Sequence, residues 1–337
     1  MAEQKIILEV KDLKQYFPIK GGIFGRTVNH VKAVDGISFN VYEGETLSIV
    51  GESGCGKSTT GRSILRLEKA SGGSVFFNGE DLFALSKSEM RSRRGDIQII
   101  FQDPYASLNP RRTVFQTISE AMDIQKIGDS ANRRRDIIEI LQTVGIGEHQ
   151  MDLHPHQFSG GQRQRIGIAR ALCVRPKLII CDEAVSALDV SIQAQVLNLL
   201  KKLQKKFGLT YIFISHDLGV VRHISDRIIV MYLGHIMEKS DQKSLFTTPG
   251  HPYTYALMSS IPSTHVGEKK ERVILHGDIP SPANPPSGCL FHTRCPYAFD
   301  RCATEAPKFY ELGETRKAAC HLLENGSVDF GQLTVNS

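Results

Sequence analysis

Residues 46–59 read Thr46-Leu-Ser-Ile-Val50-Gly51-Glu-Ser-Gly-Cys-Gly-Lys57-Ser58-Thr59. The apolar run Thr46 to Val50 predicts a buried strand, and Thr59 to Leu67 predicts a helix. Between them lies the pattern G-x-x-x-x-G-K-[ST], which needs that strand–loop–helix setting to hold a phosphate. Gly51, Gly54 and Gly56 let successive backbone N–H groups, those of Ser53 and Cys55 among them, curl around an anion. The helix start at Ser58 and Thr59 adds a favourable dipole. Lys57 is placed to reach the β- and γ-phosphates and the Ser58 hydroxyl to ligate Mg²⁺.

Three further motifs follow. Leu178-Ile-Ile-Cys181-Asp182-Glu183 ends a strand on two carboxylates. Asp182 is expected to hold Mg²⁺ and Glu183 to polarise the attacking water, since phosphoryl transfer needs positioning and charge neutralisation more than covalent help. Phe158-Ser159-Gly160-Gly161-Gln162 precedes a helix-like run from Arg163 to Cys173, a second anion site at a helix start. One chain does not easily put two phosphate-binding helix starts on one nucleotide. A head-to-tail dimer solves this, with Ser159 to Gln162 capping the nucleotide of the other subunit. Gln102 ends a strand where it meets Mg²⁺ or water, and His216 follows the strand Thr210 to Ile214 as a γ-phosphate contact. A lone His is more often structural. Phe17 or Tyr16 is the candidate to stack on a base, although isolated aromatics more often belong to a core.

At 337 residues two or three domains are expected, and 41% apolar residues suffice for sizeable cores. A net charge of +5 is too mild to point to nucleic acid, and Arg91/Arg93/Arg94 and Arg133-Arg134-Arg135 read as solvated helix faces. No apolar run approaches the roughly 18 residues that span a bilayer. Met1 to Lys5 runs straight into strand-like Ile6 to Val10, so no signal peptide is expected.

Residues 5–50 and Ser74 to Phe77, followed by the turn pair Asn78-Gly79, read as antiparallel sheet. Asp96 to Phe101 is a buried strand. Residues 103–170 become helical, with Ile137, Leu141 and Val144 on one face and Gly145 as a stop. Strand and helix then alternate in Lys177 to Cys181, Val190 to Phe207, Thr210 to Ile214 and Arg227 to Met231, which predicts a parallel α/β core. The long helix places Ile192, Val196, Leu199, Leu203 and Phe207 on its apolar side. After about residue 245, seven prolines from Pro249 to Pro286 punctuate a loop-rich module.

As a set, 51–58, Gln102, 158–162, 178–183, Ser186-Ala-Leu-Asp189 and His216 resemble the ATP-binding-cassette ATPases in family order over residues 5–245. The resemblance implies an α/β P-loop NTPase fold with an antiparallel β subdomain, an inserted helical subdomain and a small loop-rich C-terminal metal or cluster module. It implies ATP with Mg²⁺ as ligand, held by Ser58, Gln102 and Asp182. It makes Glu183 the base and puts Ser159, Gly160 and Gly161 to work in trans. Phe158 and Ala184-Val185 depart from the commonest forms. The expected segments are 1–102 and 171–245 for the core, 103–170 for the helical insertion, 246–325 for the C-terminal module and 326–337 for a tail. Repair and translation cassettes fit less well, and a P-loop kinase leaves 158–162 unexplained.

Phe101 to Arg111, the Lys20-to-Lys32 insertion and Gly250-His251-Pro252-Tyr253-Thr254 are similar to ATPase subunits of bacterial peptide importers, with nickel and glutathione importers as relatives. That resemblance implies a paralogous ATPase partner, two transmembrane permeases and an extracytoplasmic peptide-binding protein. It places the chain at the cytoplasmic face of the cell membrane, touching the membrane only through the permeases. Cys289, Cys295, Cys302 and Cys320 are spaced C-x5-C-x6-C-x17-C. Four thiolates suit zinc or an iron–sulfur cluster. The resemblance implies [4Fe–4S], with zinc and unligated thiols as alternatives.

Overall fold

The computed structural model describes residues 5–21, 25–261, 273–326 and 328–330. Residues 1–4, which carry the signal-peptide expectation, lie outside these, as do 22–24 of the insertion and 331–337 of the expected tail. The strands are β1 (Ile6–Gly21), β2 (Arg26–Tyr42), β3 (Thr46–Val50), β4 (Gly72–Phe77), β5 (Glu80–Asp81), β6 (Ile97–Ile100), β7 (Leu178–Asp182), β8 (Thr210–Ile214), β9 (Arg227–Tyr232), β10 (His235–Asp241), β11 (Tyr310–Gly313) and β12 (Arg316–Ala318). The helices are α1 (Lys57–Ile64), α2 (Lys87–Arg93), α3 (Pro104–Ser107), α4 (Val114–Ile124), α5 (Arg133–Thr143), α6 (Gly160–Leu172), α7 (Val190–Phe207), α8 (Leu218–Ile224), α9 (Gln242–Thr247), α10 (Pro252–Ser259) and α11 (Asp300–Thr304). The chain forms two compact units: residues 1–6, 42–46 and 84–214, and residues 7–41, 47–83 and 215–337.

In the first unit, β6, β7 and β8 run parallel, with Ile100 opposite Cys181 and Asp182 opposite Ile214. Every residue of β7 and β8 is buried, as expected for strands covered on both faces. The four helices α3 to α6 make up the predicted helical block. Ile137, Leu141 and Val144 are fully buried, and Gly145 turns the chain at φ +80°. α7 spans the predicted Val190–Phe207 and stops at Gly208 in the left-handed region. Its buried stripe is Val196, Leu197, Leu199, Leu200 and Leu203. Phe207 is 50% exposed, because it sits in the last turn beyond that stripe.

In the second unit, β1 lies between β2 and β4. The pairing of β1 with β4 is antiparallel, with Leu8 opposite Phe77 and Val10 opposite Val75. Asn78 and Gly79, at φ +49° and +82°, make the two-residue turn into β5. β3 runs parallel to β9, and β9, β10, β12 and β11 continue antiparallel. The proline-rich tail thus adds two strands to a sheet. Their anchor is Glu238 on β10, whose carboxylate accepts the Gly250 and His251 amides at 2.7 and 3.0 Å. Burial pushes Glu238 up to about 7 and His251 down to about 3. The neutral His251 ring accepts the Tyr253 amide through Nδ1 at 3.0 Å. Pro252 sits in the first turn of α10, where its missing N–H costs nothing. The Gly-His-Pro-Tyr stretch is therefore a folded joint. Among the described residues, no helix is long and apolar enough to cross a membrane.

Candidate functional site

The phosphate-loop residues belong to the second unit. β3 is buried at all five positions and delivers the chain to Gly51. A Cβ on Gly51 would stand 2.2 Å from the Met231 carbonyl oxygen, and one on Gly56 2.1 Å from that of Ala33. Gly56 also has φ +102°, a conformation costly for any L side chain. Backbone crowding thus explains both glycines. α1 begins at Lys57, two residues earlier than periodicity suggests, and its cap residue, Gly56, contributes no side-chain cap. A helix start of this kind, with glycine at the cap position, suits an anion. Ser53 and Gly54 are exposed, while Ser58 and Thr59 are half-buried.

Lys57 is 4% exposed and folds back over the loop. Its Nζ donates to the carbonyl oxygens of Gly51 and Glu52, both at 2.8 Å. Burial pushes the Cys55 thiol up despite the nearby ammonium, so Cys55 is a packing group. Its carbonyl accepts the Gly234 amide at 3.0 Å, and the Gly234 carbonyl accepts the Asp35 amide at 2.9 Å. The Asp35 carboxylate accepts a hydrogen bond from the Tyr16 hydroxyl at 2.5 Å. Tyr16 therefore sits in the scaffold behind the loop, with Lys32 over its ring at 5.8 Å. Phe17 is 37% exposed. His216 is exposed, and the preceding Ser215 amide donates to Ile49 of β3 at 3.2 Å.

The first unit carries Gln102, the two carboxylates and residues 158–162. Asp182, 2% exposed, is the last residue of β7. Glu183 has φ +48°, in the left-handed region, and its amide donates to the Ile214 carbonyl at 3.0 Å. Such a conformation is uncommon for a non-glycine residue. Parallel register sets Gln102, exposed just past the end of β6, at the same carboxyl edge. Ala184 and Val185 are buried, so the departure from the commoner pair is absorbed by packing. Asp189 caps α7, accepting the Ile192 amide at 3.0 Å and the Ser191 hydroxyl at 2.7 Å.

Ser159 starts α6 with a capping box. Its Oγ accepts the Gln162 amide at 3.3 Å, and Gln162 Oε1 accepts the Ser159 amide at 3.0 Å. Phe158 is buried and anchors that turn, while Ser159 and Gly160 are exposed. A Cβ on Gly161 would stand 2.5 Å from Ile192 Cγ2, so this glycine also lets α6 approach α7.

The four tail cysteines converge, each within electrostatic reach of others, and the Cys289 amide donates to the Cys302 carbonyl at 2.8 Å. Backbone amides point at the sulfurs of Cys289, Cys295 and Cys320. Burial pushes Cys295 and Cys320 up to about 12, helped by the neighbouring thiols. Yet among the described residues no group of three or more His, Cys, Asp or Glu is arranged to hold a metal ion. The expected [4Fe–4S] or zinc site at Cys289, Cys295, Cys302 and Cys320 is thus gathered but not closed to ligand spacing. Burial therefore keeps these sulfurs as neutral thiols, and holding them as thiolates would need a cation.

Motif reading missed Tyr253, Arg294 and Asp35, which hold the phosphate loop from outside it. Only Tyr253 lay in a stretch that stood out in the sequence.

A family model described as "ABC transporter" matches residues 34–186, and one described as "Oligopeptide/dipeptide transporter, C-terminal region" matches residues 237–302. The oligopeptide transport ATP-binding protein AppF of Bacillus subtilis (strain 168) is 55% identical over 324 residues, covering 95% of this chain and 98% of that protein. OppF of Salmonella typhimurium, of the same description, is 52% identical over 310 residues, covering 90% and 93%. Among solved structures, cbiO1 from Clostridium perfringens, part of the ABC transporter complex cbiONQ, is 30% identical. It has a TM-score of 0.62 and covers 72% of this chain and 91% of that one. The dimeric structure of MJ0796, a bacterial ABC transporter cassette, is 29% identical with TM-score 0.62, covering 70% and 98%.

Proposed function

Because the chain belongs to the ABC transporter ATPases and carries the oligopeptide/dipeptide transporter C-terminal region, we propose that it powers peptide import across a bacterial cell membrane from the cytoplasmic face. The observation that carries the reading is the phosphate loop, with crowded glycines, a glycine at the helix cap and a lysine folded over loop carbonyls. Its amides and Lys57 hold the β- and γ-phosphates. Ser58, Asp182 and Gln102 would hold Mg²⁺, which would supply charge neutralisation for the phosphates. Glu183 takes the proton from the attacking water, and His216 steadies the γ-phosphate. Phe17 lies against the adenine, with Tyr16 bracing from behind. Ser159, Gly160, Gly161 and Gln162 close over the nucleotide of a paralogous ATPase, and the exposure of Ser159 and Gly160 supports that role.

Two permeases dock on the helical subdomain. A groove of about 640 Å³, lined by Arg112, Phe115, Gln116, Ser119 and Ile124, supports this placement. Ile124 is 57% exposed there. An extracytoplasmic binding protein delivers peptide. Tagged chain drawn from a detergent extract of its own membranes is expected to bring down two permeases and a second ATPase. Ile124→Asp is expected to lose the permeases while retaining ATP binding. Uptake into vesicles of the recovered complex, with labelled peptide, nickel or glutathione, assigns the cargo. If ATP drives none of the three, the import reading is overturned.

The four tail thiols are proposed as a structural metal–thiolate site, [4Fe–4S] first and zinc second. Their convergence and the amides aimed at their sulfurs support it. A bound cluster or zinc ion would crosslink the tail. Anaerobic purification is expected to give a brown chain with equal iron and sulfide. Colourless protein with stoichiometric zinc would replace the cluster with zinc, and metal-free protein would remove the site.

A further inference from the structure

We propose that Arg294 and Tyr253, from the C-terminal region, are positioning residues for the phosphate loop and set its affinity for ATP through Glu52. The inference rests on the ATP-binding reading above. Arg294 grips the Glu52 carboxylate with both ends of its guanidinium, Nη1 to Oε2 at 2.7 Å and Nη2 to Oε1 at 3.0 Å. The Glu52 amide donates to the Tyr253 hydroxyl at 2.9 Å, and its carbonyl accepts from Lys57. One loop residue is therefore pinned by its side chain, its amide and its carbonyl. Two of those three pins come from residues more than 200 positions away.

The pins are rigid. The Arg294 side chain is 7% exposed and that of Glu52 24%. The guanidinium lies over the Tyr232 ring at 5.9 Å. Tyr232 packs on Tyr253 at 4.9 Å and on Phe291 at 5.4 Å, and all three rings are fully buried. A planar bidentate pair fixes orientation as well as distance. The loop needs such support, because Gly51, Gly54 and Gly56 all lie at positive φ and glycine gives the backbone freedom to leave a productive shape. Holding the amides in their binding arrangement beforehand reduces the ordering cost of binding.

The test is equilibrium titration of the full-length chain with a fluorescent ATP analogue and Mg²⁺, alongside melting of the nucleotide-free protein. Arg294→Gln and Glu52→Gln are each expected to weaken binding about tenfold. The double variant is expected to be no weaker than either single one, since both break the same pair. Arg294→Lys should recover part of the loss, having the charge without the fork. Tyr253→Phe keeps the ring packing and removes only the hydroxyl, so it carries the test if Arg294→Gln does not fold. A two- to fivefold loss, on the order of one neutral hydrogen bond, is expected from it. Variants that melt earlier yet bind ATP as the parent does would reduce the pins to fold stability and overturn the inference. A parent chain that binds no ATP would overturn the functional reading and this inference with it.

Discussion

Gly56→Ala is expected to abolish measurable ATP binding. The added methyl would stand 2.1 Å from the Ala33 carbonyl oxygen and 3.2 Å from its carbon, both backbone atoms. The nearest side chain, Met231, lies at an ordinary 3.5 Å, so its movement relieves nothing. Residue 56 also lies at φ +102°, outside the regions open to alanine. Either α1 shifts or the strand carrying Ala33 does, and both hold the loop in shape. A loss exceeding about a hundredfold follows, because misplaced amides forfeit several charge-assisted hydrogen bonds at roughly 1.5–3 kcal/mol each. Gly54→Ala is the internal control. Its φ is +80° but nothing lies within 4 Å of the new methyl. Only the left-handed backbone cost applies there, about 1–2 kcal/mol, so reduced but measurable binding is expected. Titration of both variants separates steric exclusion from backbone preference. Parent-like affinity in Gly56→Ala would show that the loop reshapes freely.

Glu183→Gln is expected to bind ATP normally and to hydrolyse it about 10²–10³-fold more slowly, the scale of a lost general base. The substitution is isosteric. Its neighbours hold it by backbone: the residue-183 amide donates to Ile214 at 3.0 Å, and its carbonyl accepts the Ser186 hydroxyl at 3.0 Å. Neither bond depends on the carboxylate, so the backbone contacts of residue 183 are kept in the variant. What disappears is the group that accepts a proton. Phosphate release from preparations free of other ATPases, read beside nucleotide affinity, makes the measurement. Near-parent turnover would remove Glu183 from the chemistry.

Contiguous patterns were legible. The phosphate loop, the Asp182–Glu183 strand end and the Ser159 helix start each need only neighbouring residues, so linear order carries their geometry. α7 was readable from end to end, because apolar periodicity and Gly208 are both local signals. Its face was read less well. Leu197 and Leu200 are buried and Phe207 is exposed, since a stripe's edge is set by what packs against it. The tail was read as loops because prolines dominate it. Its strand β12 depends on pairing with β10, which comes about 80 residues earlier in the chain, and β11 pairs in turn with β12.

Residue order alone named the groups expected around a nucleotide: a glycine-rich turn, a lysine and a strand-end carboxylate are each defined by short-range backbone geometry. Folding in three dimensions settled what holds those groups still. Ala33 and Met231 make Gly56 and Gly51 obligatory, and Arg294 and Tyr253 fasten Glu52. Such contacts form between segments far apart along the chain, and no local periodicity encodes a partner two hundred residues away.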